Sequence, residues 1–262
     1  TVTKKIALVS ELLTSSTPLE ARYIVRTILG DLRVGIGSGT IRDAIVETCF
    51  GKENKKENSE LIQEAYDKTT DFALVFDKAC KGKKALKETG LEPGKPVKVM
   101  LFQKEKTIKD GFKRVGKPCL IDMKYDGFRM MINKDEQGKI KIFTRRLEDV
   151  TKQFPEVVEY VKRYVRGKSF ILDSEVIGID PITKKWLPFQ KVSQRIKRKY
   201  DIDQITKIIP VIVNVFDIMA HGNESLLKLK FKERKAKLRT IINEKKNKIN
   251  IAEELITSSM ER

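Results

Sequence analysis

Histidine is almost absent: His221 is the single one in 262 residues. A His-based triad or a multi-His metal site is therefore poorly supported, and His221 reads as an ordinary loop residue. Cysteine is scarce too. Cys49, Cys80 and Cys119 stand far apart, in no zinc or disulfide spacing, which points to a reducing cytosolic setting. Long apolar runs are missing. The most apolar, IIPVIVNVF at 208–216, is too short to cross a bilayer and contains Pro210 and Asn214, so no membrane association is expected. No signal-peptide pattern opens the chain, and a first residue of Thr1 rather than Met reads as an excised or incomplete product. Acidic residues are in deficit, 36 against 54 Lys plus Arg, for a net charge of +18. That excess favours a polyanionic partner, since neutralising phosphates releases counterions. It also suits a solvated lysine-rich surface of the kind thermophiles carry.

What is present changes character along the chain. Residues 1 to 92 read as helical. Ile6, Val9, Leu12 and Leu13 recur at helical spacing. Pro18 sits near the start of LEARYIVRTIL, with Gly30 as its stop, and Thr40 opens IRDAIVETCF. KENKKENSE (52–60) reads as a polar connector, followed by further helix in LIQEAYDKTTDFALVFDKACKG. LEPGKPVKVML (91–101) reads as a linker. From residue 93 to 262, strand-like runs dominate: PCLIDMKY, FRMMIN, KIKIFT, SFILDSEVIGI and IPVIVNVFDIM. DEQG (135–138) is a hairpin turn, and helical patterns intervene near 154–165 and 229–243. The expected class is α+β: a helical N-terminal segment, then a domain with antiparallel sheets.

The chemistry concentrates in Lys124-Tyr125-Asp126-Gly127-Phe128-Arg129, between the apolar runs CLIDM and MMI. A lysine there sits on rigid supports. It is a nucleophile only when neutral, a form that desolvation or nearby positive charge supplies. Gly127 lets the backbone approach a ligand, and Arg129 offers planar donors to a phosphate or ribose. Alone, Lys-x-Asp-Gly also fits a surface hairpin turn.

Its companions make the difference. Asp122-Met-Lys124-Tyr-Asp126-Gly127-Phe-Arg129 resembles the first motif of the ATP-dependent DNA ligases, Glu-x-Lys-x-Asp-Gly-x-Arg, most closely that of the archaeal and eukaryotic replicative type. Asp122 stands where that family has a glutamate near the adenine. FTRRLEDVT (143–151) resembles Ser-Arg-Arg-Leu-Glu-Asx-Val-Thr, with Thr144 for Ser and Arg145 as the nucleotide-contacting arginine. FILDSEVIGID (170–180) resembles the third motif, usually Asp-Gly-Glu, through Asp173, Ser174 and Glu175. Strand alternation puts Asp173 and Glu175 on one face. VNVFDIM (213–219) resembles the next motif, with Phe216 to stack on adenine and Asp217 to support the site. FKERK (231–235) fits the pattern as well, with Arg234 structural.

The resemblance implies a lysyl-AMP intermediate on Lys124, formed from ATP with Mg²⁺. Asp122, Arg129, Arg145, Glu175 and Phe216 would hold the nucleotide, and Glu175 would help organise the metal. The partner implied is nicked double-stranded DNA. EARYIVRTILGDLRVGIGSGTIRDAI resembles the helical DNA-binding domain of these ligases, which capping enzymes and most RNA ligases lack. There Arg26, Arg33, Gly35, Gly37, Thr40 and Arg42 would meet the backbone, the glycines opening the approach to a helix N-terminus at about Thr40. The family's later adenylation motifs and its OB domain lie outside these residues, so the chain is expected to adenylate itself poorly or not at all. The resemblance further implies a monomer, a sliding-clamp contact through a region absent here, and a place on the nucleoid in the cytoplasm or in a nucleus. Two alternatives stand beside it: an RNA ligase or capping-type nucleotidyltransferase, and a catalytically incomplete DNA-binding fragment.

Overall fold

Near residue 119 the apolar spacing changes from helical to alternating, and the secondary structure changes with it. The computed structural model describes residues 2–29, 35–198, 200–222 and 224–260. The chain divides into two compact units, residues 1–60 and 61–262.

The first unit holds α1 (Val2–Thr14), α2 (Pro18–Leu29) and α3 (Ser38–Phe50). Thr17 and Glu20 close a reciprocal cap on α2: the Thr17 hydroxyl accepts from the Glu20 amide, and the Glu20 carboxylate accepts from the Thr17 amide. Neither α1 nor α2 buries a residue. Gly30, expected to end α2, lies outside the described residues. α3 begins at Ser38 rather than at Thr40, because the amides of Thr40 and Ile41 already donate to the Gly37 carbonyl.

α4 (Lys55–Thr69) spans the division between the units. It corrects the reading of 52–60 as a connector: Lys55 to Glu60 are mostly good helix formers, and they extend the helix back to Lys55. α5 (Phe72–Cys80) is capped by Asp71, which accepts from Ala73 and Leu74, and α6 (Lys83–Lys87) follows. Residues 91–101 have no regular structure, as a linker should, yet they do not hang free. Leu91, Val97 and Val99 pack on Met131, Phe143, Ile171 and Met219 of the sheet. Pro96 and Lys98 bond back to Thr70 and Asp67. The composition change therefore lies inside the second compact unit.

After α7 (Ile108–Val115) come β1 (Cys119–Asp122), β2 (Phe128–Lys134), β3 (Ile140–Thr144), α8 (Pro155–Tyr164), β4 (Phe170–Ile179), β5 (Trp186–Leu187), α9 (Phe189–Ile196) and α10 (Ile202–Ile208). Then follow β6 (Val211–His221), β7 (Glu224–Ser225), α11 (Phe231–Ile241), β8 (Ile249–Ile251) and β9 (Glu254–Thr257). The main sheet runs β3-β2-β4-β6-β7, with β5 on β4 and β8 on β6. Its pairings are antiparallel except β6 with β8, which is parallel. The DEQG turn forms as expected, with the Asp135 amide donating to Lys139 and Gly138 at φ +81°. His221 ends β6 instead of sitting in a loop, and burial, then Lys237, hold its imidazole below the usual pKa.

One sheet face is covered by helices. Met130, Ile132, Leu172, Val176 and Val213 pack there with Val157 and Val161 of α8, Val192 of α9 and Leu238 of α11. Arg195 of α9 is wholly buried within this layer. It pairs with Glu156 and donates to the carbonyls of Gln153 and Ile209, tying α8, α9 and the start of β6 together. The other face, at alternate residues, carries Arg129, Asp173, Glu175 and Phe216. β1 stands apart from the main sheet, paired with β9 in a two-stranded sheet.

Candidate active site

Lys124 lies in the short stretch that carries the chain from the small sheet into the main one. Both sides of it are tied to one residue. The Met123 amide donates to the Glu253 carbonyl at 3.2 Å, and the Tyr125 hydroxyl accepts from the Glu253 amide at 3.1 Å. The buried Tyr125 ring packs 5.7 Å from Trp186. The Lys124 ammonium donates only weakly, to the Tyr125 carbonyl at 3.4 Å. Asp126 accepts from the Phe189 amide at 3.4 Å, which joins the motif to α9.

Gly127 has a packing reason to be glycine. A Cβ there would stand 2.2 Å from the Val176 carbonyl oxygen, a backbone atom in the middle of β4. Gly127→Ala is expected to cost about 2–4 kcal/mol, because strand must separate from strand to admit the methyl. Urea unfolding of the variant checks this; an unchanged midpoint would contradict it.

Arg129 and Glu175 are directly opposite on β2 and β4. Arg129 grips Asp173 with a bidentate pair, Nε to Oδ1 at 2.9 Å and Nη2 to Oδ2 at 2.5 Å. Burial pushes the Asp173 carboxyl upward and Arg129 pulls it back. Burial also works against the Arg129 charge, but the Asp173 hydrogen bonds and charge hold the guanidinium above its ordinary value. The geometry is that of an ionised pair. The same guanidinium lies 5.4 Å from the Phe216 ring centroid. Glu175 is pushed up to about 7 by burial; Lys124 and Arg129 draw it down, while Asp173 and Asp126 add to the rise.

Asp122, on β1, is half-buried and raised chiefly by desolvation. Its carboxylate is 3.7 Å from the Lys235 ammonium, which in turn lies 2.6 Å from Glu254. Lys235 is buried and thereby shifted down, with Asp122 and Asp217 opposing. Arg234 makes two 2.8 Å bonds to Asp217, fixing α11 to β6 in the structural role expected of it. Arg145 sits in the turn after β3. Thr144 shapes that turn by accepting from the Arg146 amide at 3.2 Å, so threonine does what a serine hydroxyl would. Ser174 points away from this face: buried, it donates to the Met130 carbonyl at 2.7 Å.

Asp122, Lys124, Arg129, Arg145, Glu175 and Phe216 line one cavity of about 1380 Å³. Cations, carboxylates and an aromatic face thus surround a space large enough for a nucleotide. Among the described residues no group of three or more His, Cys, Asp or Glu side chains is placed to hold a metal ion unaided. Sequence reading overlooked Leu101, Phe102, Arg146 and Lys197 on the cavity wall, and the anchoring roles of Asp173 and Lys235.

The residues read as DNA-binding belong to the first unit. Gly35 has φ +71°, a conformation that favours glycine, and Gly37, in extended backbone, is the N-cap of α3. Thr40 is exposed in the first turn of α3. Arg26 lies 5.6 Å from the Tyr23 ring and Arg42 pairs with Asp43 at 2.8 Å. Arg33 lies outside the described residues.

Residues 99–262 match the family model described as the ATP dependent DNA ligase domain, and residues 1–46 match that of the DNA ligase N terminus. The chain is 43% identical to a DNA ligase of Nanoarchaeum equitans, over 95% of this chain and 43% of that protein. It is 39% identical to one from Acidianus ambivalens, over 98% and 42%, and 38% identical to one from Methanopyrus kandleri, over 98% and 45%. The chain thus spans less than half the length of these relatives. Among solved structures, the ligase domain from M. tuberculosis LigD is similar at a TM-score of 0.37 and 20% identity, over 51% of this chain and 40% of that one.

Proposed function

This chain belongs to the ATP-dependent DNA ligase family, and from that premise we propose that its cavity binds ATP and makes Lys124 the carrier of AMP in sealing nicked duplex DNA. One observation supports this above the rest: Lys124, Arg129, Arg145, Glu175 and Phe216 share a cavity although they come from segments far apart in sequence. In the first step the Lys124 amine attacks the α-phosphorus. A P–N bond forms, the α–β phosphoanhydride breaks, pyrophosphate leaves and the amine loses its proton. AMP then passes to the 5′-phosphate of the nick, and the 3′-hydroxyl displaces it to close the strand.

The residues divide the labour by chemistry. Phe216 offers its face to the adenine. Arg145 and Lys124 present positive charge to phosphates. Arg129, fixed by Asp173, holds its remaining donors toward ribose or phosphate. Glu175 would supply an oxygen ligand to Mg²⁺ or accept a hydrogen bond from a ribose hydroxyl. Mg²⁺ commonly takes one or two carboxylates together with substrate phosphates, so Glu175 would need no cluster of acids beside it. Bound, it would neutralise charge on the phosphates. A net charge of +18 suits a duplex DNA partner. The match of residues 1–46 to a DNA ligase N terminus favours this reading over an RNA ligase or capping enzyme.

Calorimetric titration of ATP into the chain tests the binding. Phe216→Ala is expected to weaken ATP about tenfold, in line with about 1–3 kcal/mol for stacking one base on an aromatic ring. Equal affinity in both proteins would remove Phe216 from the site.

A further inference from the structure

Met100, Leu101 and Phe102 are consecutive large apolar residues left 87%, 58% and 88% exposed. Such a run on a surface usually marks a binding site. The segment is also fixed on either side. Arg129 donates from Nη1 to the Met100 carbonyl at 3.0 Å. Arg114 of α7 donates to the Gln103 side chain at 2.6 Å and pairs with Glu105. Between these ties, Leu101 and Phe102 line the same cavity as Lys124, Arg145 and Phe216. The guanidinium that holds Met100 is the one gripped by Asp173 and set beside the Phe216 ring. One side chain thus joins this segment to the aromatic surface of the cavity.

We infer that Leu101 and Phe102 form a second apolar wall of the nucleotide site and contact the adenosine half of ATP. The inference rests on the ATP reading above. The cavity's chemistry selects that half: Lys124, Arg145 and Arg146 supply positive charge for phosphates, whereas base and ribose need apolar surface. Phe102 is too exposed to be a core residue, so its removal should leave the stability of the chain unchanged.

Calorimetry of the chain with ATP, adenosine and inorganic tripolyphosphate, on the parent, Phe102→Ala, Leu101→Ala and Phe216→Ala, tests this. Phe102→Ala should lose about tenfold in affinity for both ATP and adenosine, with tripolyphosphate binding and the thermal midpoint unchanged. Leu101→Ala should show the same pattern more weakly. Parent-like ATP affinity in Phe102→Ala, while Phe216→Ala is impaired, would overturn the second wall and leave the ATP site standing. A parent chain that binds tripolyphosphate as tightly as ATP, and adenosine not at all, would overturn both.

Discussion

Lys124→Ala is expected to abolish whatever AMP the chain can take from ATP, because alanine has no amine to form the P–N bond. Lys124→Arg should abolish it equally. Arginine keeps the positive charge, so ATP binding should survive, but a guanidinium is not a nucleophile at neutral pH. The pair of variants separates the charge from the nucleophile. Lys197 also lines the cavity and is the natural competitor. It sits just past the end of α9, whereas Lys124 stands between β1 and β2, five residues before Arg129. Labelling that persists in Lys124→Arg would transfer the role to another lysine.

The second large effect is Glu175→Gln, which should damage ligand handling and yet stabilise the empty protein at high pH. The folded carboxyl titrates at about 7, against 4.5 without its surroundings. As pH rises between those values the unfolded chain releases its proton and the folded chain keeps it. The folded state then binds more protons, so its stability falls over that window and levels off above it. The shift corresponds to about 3 kcal/mol, or about 2 kcal/mol after allowing for water reaching a partly exposed carboxylate. Glutamine carries no such penalty. Urea unfolding in chelator, without nucleotide, should find Glu175→Gln more stable than the parent at pH 8 by about 2 kcal/mol and little different near pH 4.5. Adding ATP and Mg²⁺ should stabilise the parent and leave the variant behind. A variant destabilised equally at both pH values would mean that Glu175 is a packing residue.

The parts of the site that were legible are those written in short stretches. Lys124 to Arg129, the Thr144–Arg145 turn and the Asp173–Glu175 alternation each fit within a few residues, and apolar flanks announced their strands. Contacts between distant segments were not legible. Asp173 as the anchor of Arg129 depends on the antiparallel register of β2 and β4, which no local pattern states. α9 escaped notice because QKVSQRIKRKY (190–200) looks like solvated surface, and α10 spans only Ile202–Ile208. Arg195 breaks that reading: Glu156, Thr206 and two carbonyls accept from its two terminal nitrogens, so an arginine sits where an apolar residue is expected. β8 and β9 are too short for alternation to register. The prolines and glycine of 91–101 did foretell irregular backbone. They carried no information about the sheet face beneath it, or about the cavity that Leu101 reaches.

The difference between Asp122 and Lys124 shows how a strand can serve two ends. β1 belongs to the small sheet, where Asp122 faces the buried Lys235. Two residues on, Lys124 enters the cavity of the main sheet. An aspartate in place of the longer glutamate keeps its charge beside Lys235, and α11 thereby braces the base of the Lys124 stretch.

Peptide mapping after prolonged incubation with α-labelled ATP and Mg²⁺ probes the nucleophile itself. The label, however small in amount, should be acid-labile and confined to the peptide containing Lys124, and it should vanish in Lys124→Ala. Equal label in that variant, or label on Lys197, would contradict the assignment of Lys124 as the residue that takes AMP.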